Sequence, residues 1–426
     1  MNKLLKLRWV AIALPLSFGV FAVDSARANE PQLGGIPLAC HIQIGPLDIY
    51  PYQAFNTYDL VSYASSQWRA IALAYLEAGD LERALELTEK LDEHLTDDRQ
   101  ETLIAIAEQS AIAGDYDWAM QLTKRINDRP AFAVKLLARV ARHAEAAGAN
   151  RAAAEKAWAE AMGALATLEP WERDRALVYL AVEQAAMARM TEALSLVQQI
   201  GDAEERDWAS ALIAVELVRL DRLDRALTLA ASLQEPYYQS QALSRMAQQA
   251  TVAQLEKILA QATAIANKTY RNPALAAIAR RYITLQQFTK AQQIAQLLPK
   301  SDASRSALVA QYATAGRLDL ALNGFSQLNN PLWRRSALDA IARQFAASDY
   351  PQALEFAAAQ SSGEQQILAL RAIAEQQTEV GQYQQALNLY DRALKLADTS
   401  RSHPPAEIHG IQSHFIPLLK CAQGKD

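Results

Sequence analysis

Residues 373–393 read Ile373-Ala374-Glu-Gln-Gln-Thr-Glu-Val-Gly381-Gln-Tyr383-Gln-Gln-Ala386-Leu-Asn-Leu-Tyr390-Asp-Arg-Ala393. An Ile-Ala pair closes one run, Gly381 interrupts it, and a second run starts around Ala386. Within each run the apolar residues recur at three and four rather than at two, which is the helical period. The stretch therefore encodes two antiparallel helices joined by a glycine corner. Ala374 and Ala386 have a packing role, because small residues let two helix axes approach where a Leu would hold them apart.

The same elements recur upstream. A small residue follows a short loop at Ala84, Ala119, Ala153, Ala193, Ala226, Ile258, Ala291, Ala321 and Ala353, at spacings of 30 to 40 residues. Pairs equivalent to Ile373-Ala374 precede the loops at Ile71-Ala72, Ile106-Ala107, Leu180-Ala181, Ile213-Ala214 and Ile278-Ala279. Corner glycines stand at Gly79, Gly114, Gly148 and Gly316. Ten units result, filling residues 62–397. One hairpin cannot bury its apolar face alone, so the units must stack into a continuous core. Composition agrees: 51% of the 426 residues are hydrophobic, 7% are aromatic, and Gly and Pro number 15 each. That balance disfavours β-sandwiches, collagen and disordered chains and favours an all-α protein.

Trp68-x-x-Ile71-Ala72-x-x-Tyr75 followed by Ala84 resembles the W-x2-L-G-x2-Y…A pattern of the tetratricopeptide-repeat (TPR) family, and Gly381 to Ala393 resembles its second helix. The middle units depart from the pattern. Its Gly is Ala throughout, its aromatic positions are often Gln or Ala, and the sixth unit has Met246 and Ile258 at the small positions. The resemblance implies a right-handed α/α superhelical solenoid of about ten helix-turn-helix repeats, with first helices on the concave side.

Three regions break the period. The widest spacing spans Thr167-Leu-Glu-Pro170-Trp171, where Pro170 ends one helix and begins the next, so an extended connection is expected there. Residues 29–61 contain Pro31, Pro37, Pro46, Pro51 and Gly34-Gly35 and read as an extended lead-in. Residues 398–426 form a tail in which Pro404-Pro405 breaks the last helix, with a capping helix expected near Ile408 to Lys420. Residues 1–28 read as a signal peptide: a basic start (Lys3, Lys6, Arg8), an apolar run from Trp9 to Val23, and the cleavage site Ala26-Arg27-Ala28. A secreted or periplasmic location follows as an expectation, with no transmembrane segment in the mature chain. Cleavage removes Lys3, Lys6, Arg8 and Arg27 together with Asp24, so the net charge of −5 becomes about −8. An acidic exported protein is a poor nucleic-acid binder.

Catalytic signatures are missing from the sequence: no phosphate-binding glycine loop, no G-x-S-x-G, no H-E-x-x-H, no C-x-x-C. His94 and His143 stand alone on helical stretches. His403, His409 and His414 approach Cys421 in sequence without metal-site spacing, so neither metal nor cofactor is expected. Trp68, Trp171, Trp208 and Trp333 mark the starts of first helices and are expected to fill gaps between repeats. The two cysteines, Cys40 and Cys421, flank the array and either pair or remain two thiols. Pairing requires Cα atoms within about 7 Å, which demands that the superhelix turn back or that the lead-in reach the C-terminal end.

A non-catalytic scaffold holding a partner protein or extended peptide in its concave groove is the expected function. An envelope assembly factor acting through oligomerisation is the alternative, and an enzyme on a helical scaffold the third. On the register of the resembled family the groove would present Arg175, Val182, Val215, Arg219, Arg280 and Arg335, joined by Val178, Trp208, Val218, Ile283 and Phe345. Four of these are arginines and none is acidic, which suits an acidic partner. The competing reading pairs the arginines with acids of neighbouring helices and places the valines in the core.

Overall fold

A computed structural model describes residues 31–44, 68–89, 91, 96–126, 130–146, 148, 150–399 and 411–424. The signal-peptide reading lies outside the described residues, as do His94, His403, His409 and the side chain of His414.

Among the described residues, ten first helices alternate with ten second helices. The first helices are α2 (68–77), α4 (Thr96–Ile112), α6 (Pro130–Ala146), α8 (Pro170–Ala186), α10 (Ala203–Arg219), α12 (Pro236–Gln249), α14 (Lys268–Thr284), α16 (Asp302–Thr314), α18 (Pro331–Ser348) and α20 (Gly363–Glu379). The second helices are α3 (Leu81–Thr88), α5 (Tyr116–Gln121, continued by a 3-10 turn), α7 (Arg151–Leu165), α9 (Met190–Gln198), α11 (Leu223–Ala231), α13 (Val252–Ala264), α15 (Phe288–Ala295), α17 (Leu318–Ser326), α19 (Tyr350–Ala358) and α21 (Tyr383–Thr399). From α4 to α20 each first helix packs on the next, whereas successive second helices touch sparsely. A two-layer stack with one close layer and one splayed layer curves toward the close layer. The first helices therefore line the inner side of a TPR-like solenoid.

The period has a local cause. In each unit the first intrahelical bond of the second helix is made by one residue, four after the cap: Ala84 to Asp80, Ala119 to Asp115, Ala193 to Arg189, and so on to Ala386 and Gln382. Those residues are fully buried against the Ile-Ala pair of the first helix. The register corrects two anchors. In the third unit Asn150 is the cap, so the anchor is Ala154 and Ala153 is only partly buried; in the sixth, Thr251 caps and Leu255 takes the place assigned to Ile258. In seven units the residue just before the cap is left-handed, and in four of them it is a glycine: Gly79, Gly114, Gly316 and Gly381. Ala188, Asp221 and Gln286 take the same corner at φ 61°, 56° and 58°, each at a cost of about 1 kcal/mol relative to glycine.

Two expectations about irregular regions are corrected. The long spacing before Pro170 is not an extended connection: α7 runs for 15 residues where α9, α11 and α17 run for 9, and Pro170 starts α8 directly. The lead-in is not extended throughout. Gln32–Leu33 (β1) pairs antiparallel with Ile36–Pro37 (β2), and α1 (Leu38–Ile44) follows. In the tail, a π-turn at Ile411–Phe415 leads into α22 (Ile416–Ala422). The tryptophans divide. Trp68 packs against the core, but Trp171 is 72% exposed and fills no gap.

The first segment and the last helix meet. Cys40 and Cys421 form a disulfide with Cα atoms 5.8 Å apart, and α1 and β2 both pack on α22. No helix among the described residues is long and apolar enough to cross a membrane.

Candidate partner-binding face

Consider the residue two places after the first member of each Ile-Ala pair. It is Leu73, Glu108, Val182, Val215, Arg280 or Glu375, and the equivalent residues after Val140-Ala141 and Ile341-Ala342 are Arg142 and Arg343; all of this row is partly buried on the first-helix layer. At both ends of the row the charges are cross-linked. On the N-terminal side, Arg139 Nη1 lies 2.8 Å from Glu108 Oε2, and its Nε donates to Glu183 Oε1 at 3.2 Å. Arg142 Nε sits 2.6 Å from Glu183 Oε2 as an ion pair, and His143 Nε2 lies 3.0 Å from Glu108 Oε1. The Glu183 side chain is only 8% exposed. Lys135 bridges Glu101 at 2.9 Å and lies over the rings of Phe132 and Tyr179. On the C-terminal side Arg343 joins Asp339, Glu375 and Glu379, and Arg371 adds to the same group.

The His143 contact, then burial opposing it, then the neighbouring arginines set the Glu108 carboxyl at about 2, well below the ordinary 4.5. A depressed carboxylate contributes stability that is present above its unfolded value and lost as pH falls through its folded value. Glu108→Gln should therefore flatten the decline of stability between about pH 4.5 and pH 2, a difference of about 1–2 kcal/mol once solvent screening of this partly exposed group is included. Urea unfolding across that pH range checks this.

The predicted groove residues separate into four groups. Val178, Val218, Ile283 and Phe345 are buried core and line no groove. Arg175 and Arg219 have acidic partners that the acid-free register overlooked. Arg175 Nε and Nη2 donate to Glu205 at 2.9 and 2.6 Å, with the guanidinium 4.8 Å from the Trp208 ring centre, and Arg219 bonds Glu216 at 2.9 Å. For those two the core-and-pairing reading holds, because the acids sit one turn away on the same or the next first helix. Val182 and Val215 are partly buried in the row, and Arg335 is partly buried and engaged on α18.

Arg280 differs. It is half-buried, burial pulls its guanidinium below the ordinary range, and among the described residues its side chain has no ion-pair or hydrogen-bond partner. Arg245, exposed on α12, is likewise unpaired among the described residues. The sequence explains why. The helices α12, α14 and α16 carry Arg245, Lys268, Arg271, Arg280, Arg281 and Arg305 against a single acid, Asp302. That acid is tied up: its Oδ2 accepts from the backbone N–H groups of Asn329 and Asn330. Arg281 reaches the Ala250 carbonyl instead of a carboxylate.

Beside this cationic section lies a cleft of about 210 Å³ whose lining includes Arg175 with its partner Glu205, Trp208, Tyr237, Tyr238 and Arg245. Tyr237 is half exposed and meets Tyr238 and Tyr270 edge-on. Neither the cleft nor the Glu183 network was identified from the sequence.

Among solved structures the chain is similar to Ton1535 from Thermococcus onnurineus, at 15% identity over 71% of this chain and 97% of that one, with a TM-score of 0.31. It is also similar to the APC/C hetero-tetramer Cut9-Hcn1 (13% identity, 85% and 92% covered, TM-score 0.24) and to Naa15/Naa10 bound to HypK (16%, 81% and 56%, TM-score 0.32). At such scores the overall shapes differ, and the fold assignment rests on the ten hairpins of the chain itself. No family model and no curated protein matches the sequence.

Proposed function

We propose that this chain is an exported, non-catalytic scaffold that holds an acidic, extended segment of a partner protein on its first-helix face. The observation that carries the reading is the imbalance at the centre of that face. Three successive first helices carry six cations against one acid, Asp302; with Arg305 paired to that acid and Arg281 bonded to the Ala250 carbonyl, Arg245 and Arg280 stand without a partner among the described residues, in a chain whose net charge is negative. Paired networks at both ends leave the centre as the place where carboxylates gain most. Guanidinium forks accept carboxylates bidentately, and half-burial of Arg280 strengthens that attraction relative to a fully solvated site. Trp208, Tyr237 and Tyr238, which line one cleft with Arg245, supply rigid amphipathic contact area of the kind that dominates binding energy at interfaces.

Export rests on the basic, apolar and Ala26-Arg27-Ala28 pattern and is supported by a disulfide, which persists in oxidising compartments. Protein recovered from the envelope fraction should begin at Asn29 when sequenced from its N-terminus. Recovery from the cytosol with Met1 or Asn2 first would reject the export reading. Capture from an envelope extract on the immobilised mature chain, eluted by a salt gradient and identified by mass spectrometry, tests the scaffold reading. A partner with an acidic segment, released as salt rises, is the expected result.

A further inference from the structure

The segment that precedes the array is packed on the far end of it. Residues 31–44 contact α20, α21 and α22, the elements that close the last unit. Ile36, Leu38 and Cys40 are buried there. The Tyr383 hydroxyl donates to the Gly35 carbonyl at 2.6 Å. Gly35 lies so close to α20 that a Cβ on it would be 2.2 Å from the Thr378 carbonyl oxygen. An array of stacked hairpins leaves an apolar face open at its final unit, and something must cover it. In this chain the cover comes from the N-terminus. Only residues 45–67 connect it to α2 at the opposite end of the array, and they reach at most about 80 Å.

We infer that the C-terminal end of the array is a docking site for a short apolar segment, that the chain's own residues 31–44 occupy it, and that the Cys40–Cys421 bond is the lock. The segment is a poor independent binder. Two two-residue strands and a seven-residue helix have no stability of their own, and ordering them costs conformational entropy that a few buried side chains do not recover. The disulfide keeps the segment at its site. A dithiol reductant unlocks it: the reductant supplies two electrons and two protons, the S–S bond breaks, Cys40 and Cys421 each become S–H, and the reductant leaves as its own disulfide. The final turns of α20 and α22 then lose their cover, while the central face is untouched.

Hydrogen exchange on the full chain, before and after dithiothreitol without denaturant, reads this directly. Residues 31–44 and α22 should gain exchange together by about tenfold or more, with α6 to α16 unchanged. Retained protection of the segment would overturn the lock, and so would unfolding of the whole array. Gly35→Ala provides an arm independent of reductant. Its Cβ has no room and its φ of +77° disfavours a side chain, so the hairpin is displaced and Cys40 cannot reach Cys421. The variant should titrate two free thiols per chain where the parent titrates none, at equal helical content. A variant without free thiols contradicts the docking geometry. Finally, a synthetic peptide of residues 31–44, added under oxidation to a Gly35→Ala, Cys40→Ser chain whose own segment is displaced and cannot bond, should be captured on Cys421. A peptide carrying Ile36→Asp and Leu38→Asp should not, and equal capture of both would show that no site exists.

Discussion

Replacing Glu183 with Ala is expected to lower stability by about 3–5 kcal/mol, a large effect for a position distant from any glycine or anchor. The Glu183 carboxylate is almost fully buried on α8 and receives both Arg139 and Arg142 from α6. Removing it leaves two partly buried guanidinium groups sharing Glu108 alone, and an uncompensated charge at low dielectric is costly. The loss should be local to the third to fifth units, because each hairpin of a solenoid contacts only its neighbours. Glu183→Gln keeps the shape and one acceptor and should cost less. Urea unfolding followed by helical ellipticity measures both, and equal stability of the alanine variant and the parent would show that the network contributes nothing.

The second large effect is one of sign. In the eighth unit the small member of the Ile-Ala pair is Val309, while Gly324 stands on α17 where other second helices carry Leu196, Leu229, Ile294 or Phe356. A Cβ on Gly324 would lie 2.6 Å from Val309 Cγ2. Gly→Ala inside a helix ordinarily gains about 1 kcal/mol. Here Gly324→Ala should instead cost about 1–3 kcal/mol through overpacking. Adding Val309→Ala removes the obstructing methyls and should restore the ordinary gain, so the cycle should show a coupling of about 1–3 kcal/mol. Additive effects would mean that the two helices do not meet there.

This pair illustrates how far the sequence could be read. The ten hairpins were legible because anchors such as Ala226 and Ala386 and corner glycines such as Gly79 and Gly381 recur, and each has a single physical task. Anchors failed where capping moved the register, at Asn150 and Thr251, since a cap is set by local hydrogen bonds and not by spacing. The long α7 was taken for a connection because Pro170 marks where a helix begins but not how far the preceding one extends. Charge on the face was half legible. Taking the inward face from the register of the resembled family found Arg175, Arg219 and Arg280, but whether a cation is paired depends on the neighbouring helix. Glu205 and Glu216 lie just outside that register, while α12 and α14 carry no acid at all. The contact of the N-terminal hairpin with α22 joins residues 381 apart in sequence, and no local pattern encodes such a meeting.

The central claim is that the middle of the first-helix face binds through its unpaired cations. It is tested most directly by comparing partner capture by the parent, by Arg245→Glu with Arg280→Glu, and by Arg225→Glu on the outer layer at α11. The charge-reversed face should lose capture at least about tenfold, a difference of about 1.4 kcal/mol or more, while keeping parental ellipticity and unfolding midpoint. The outer-layer variant should bind as the parent does. Undiminished capture by the Arg245→Glu, Arg280→Glu chain, or loss of capture on changing Arg225 alone, would contradict the assignment of binding to this face.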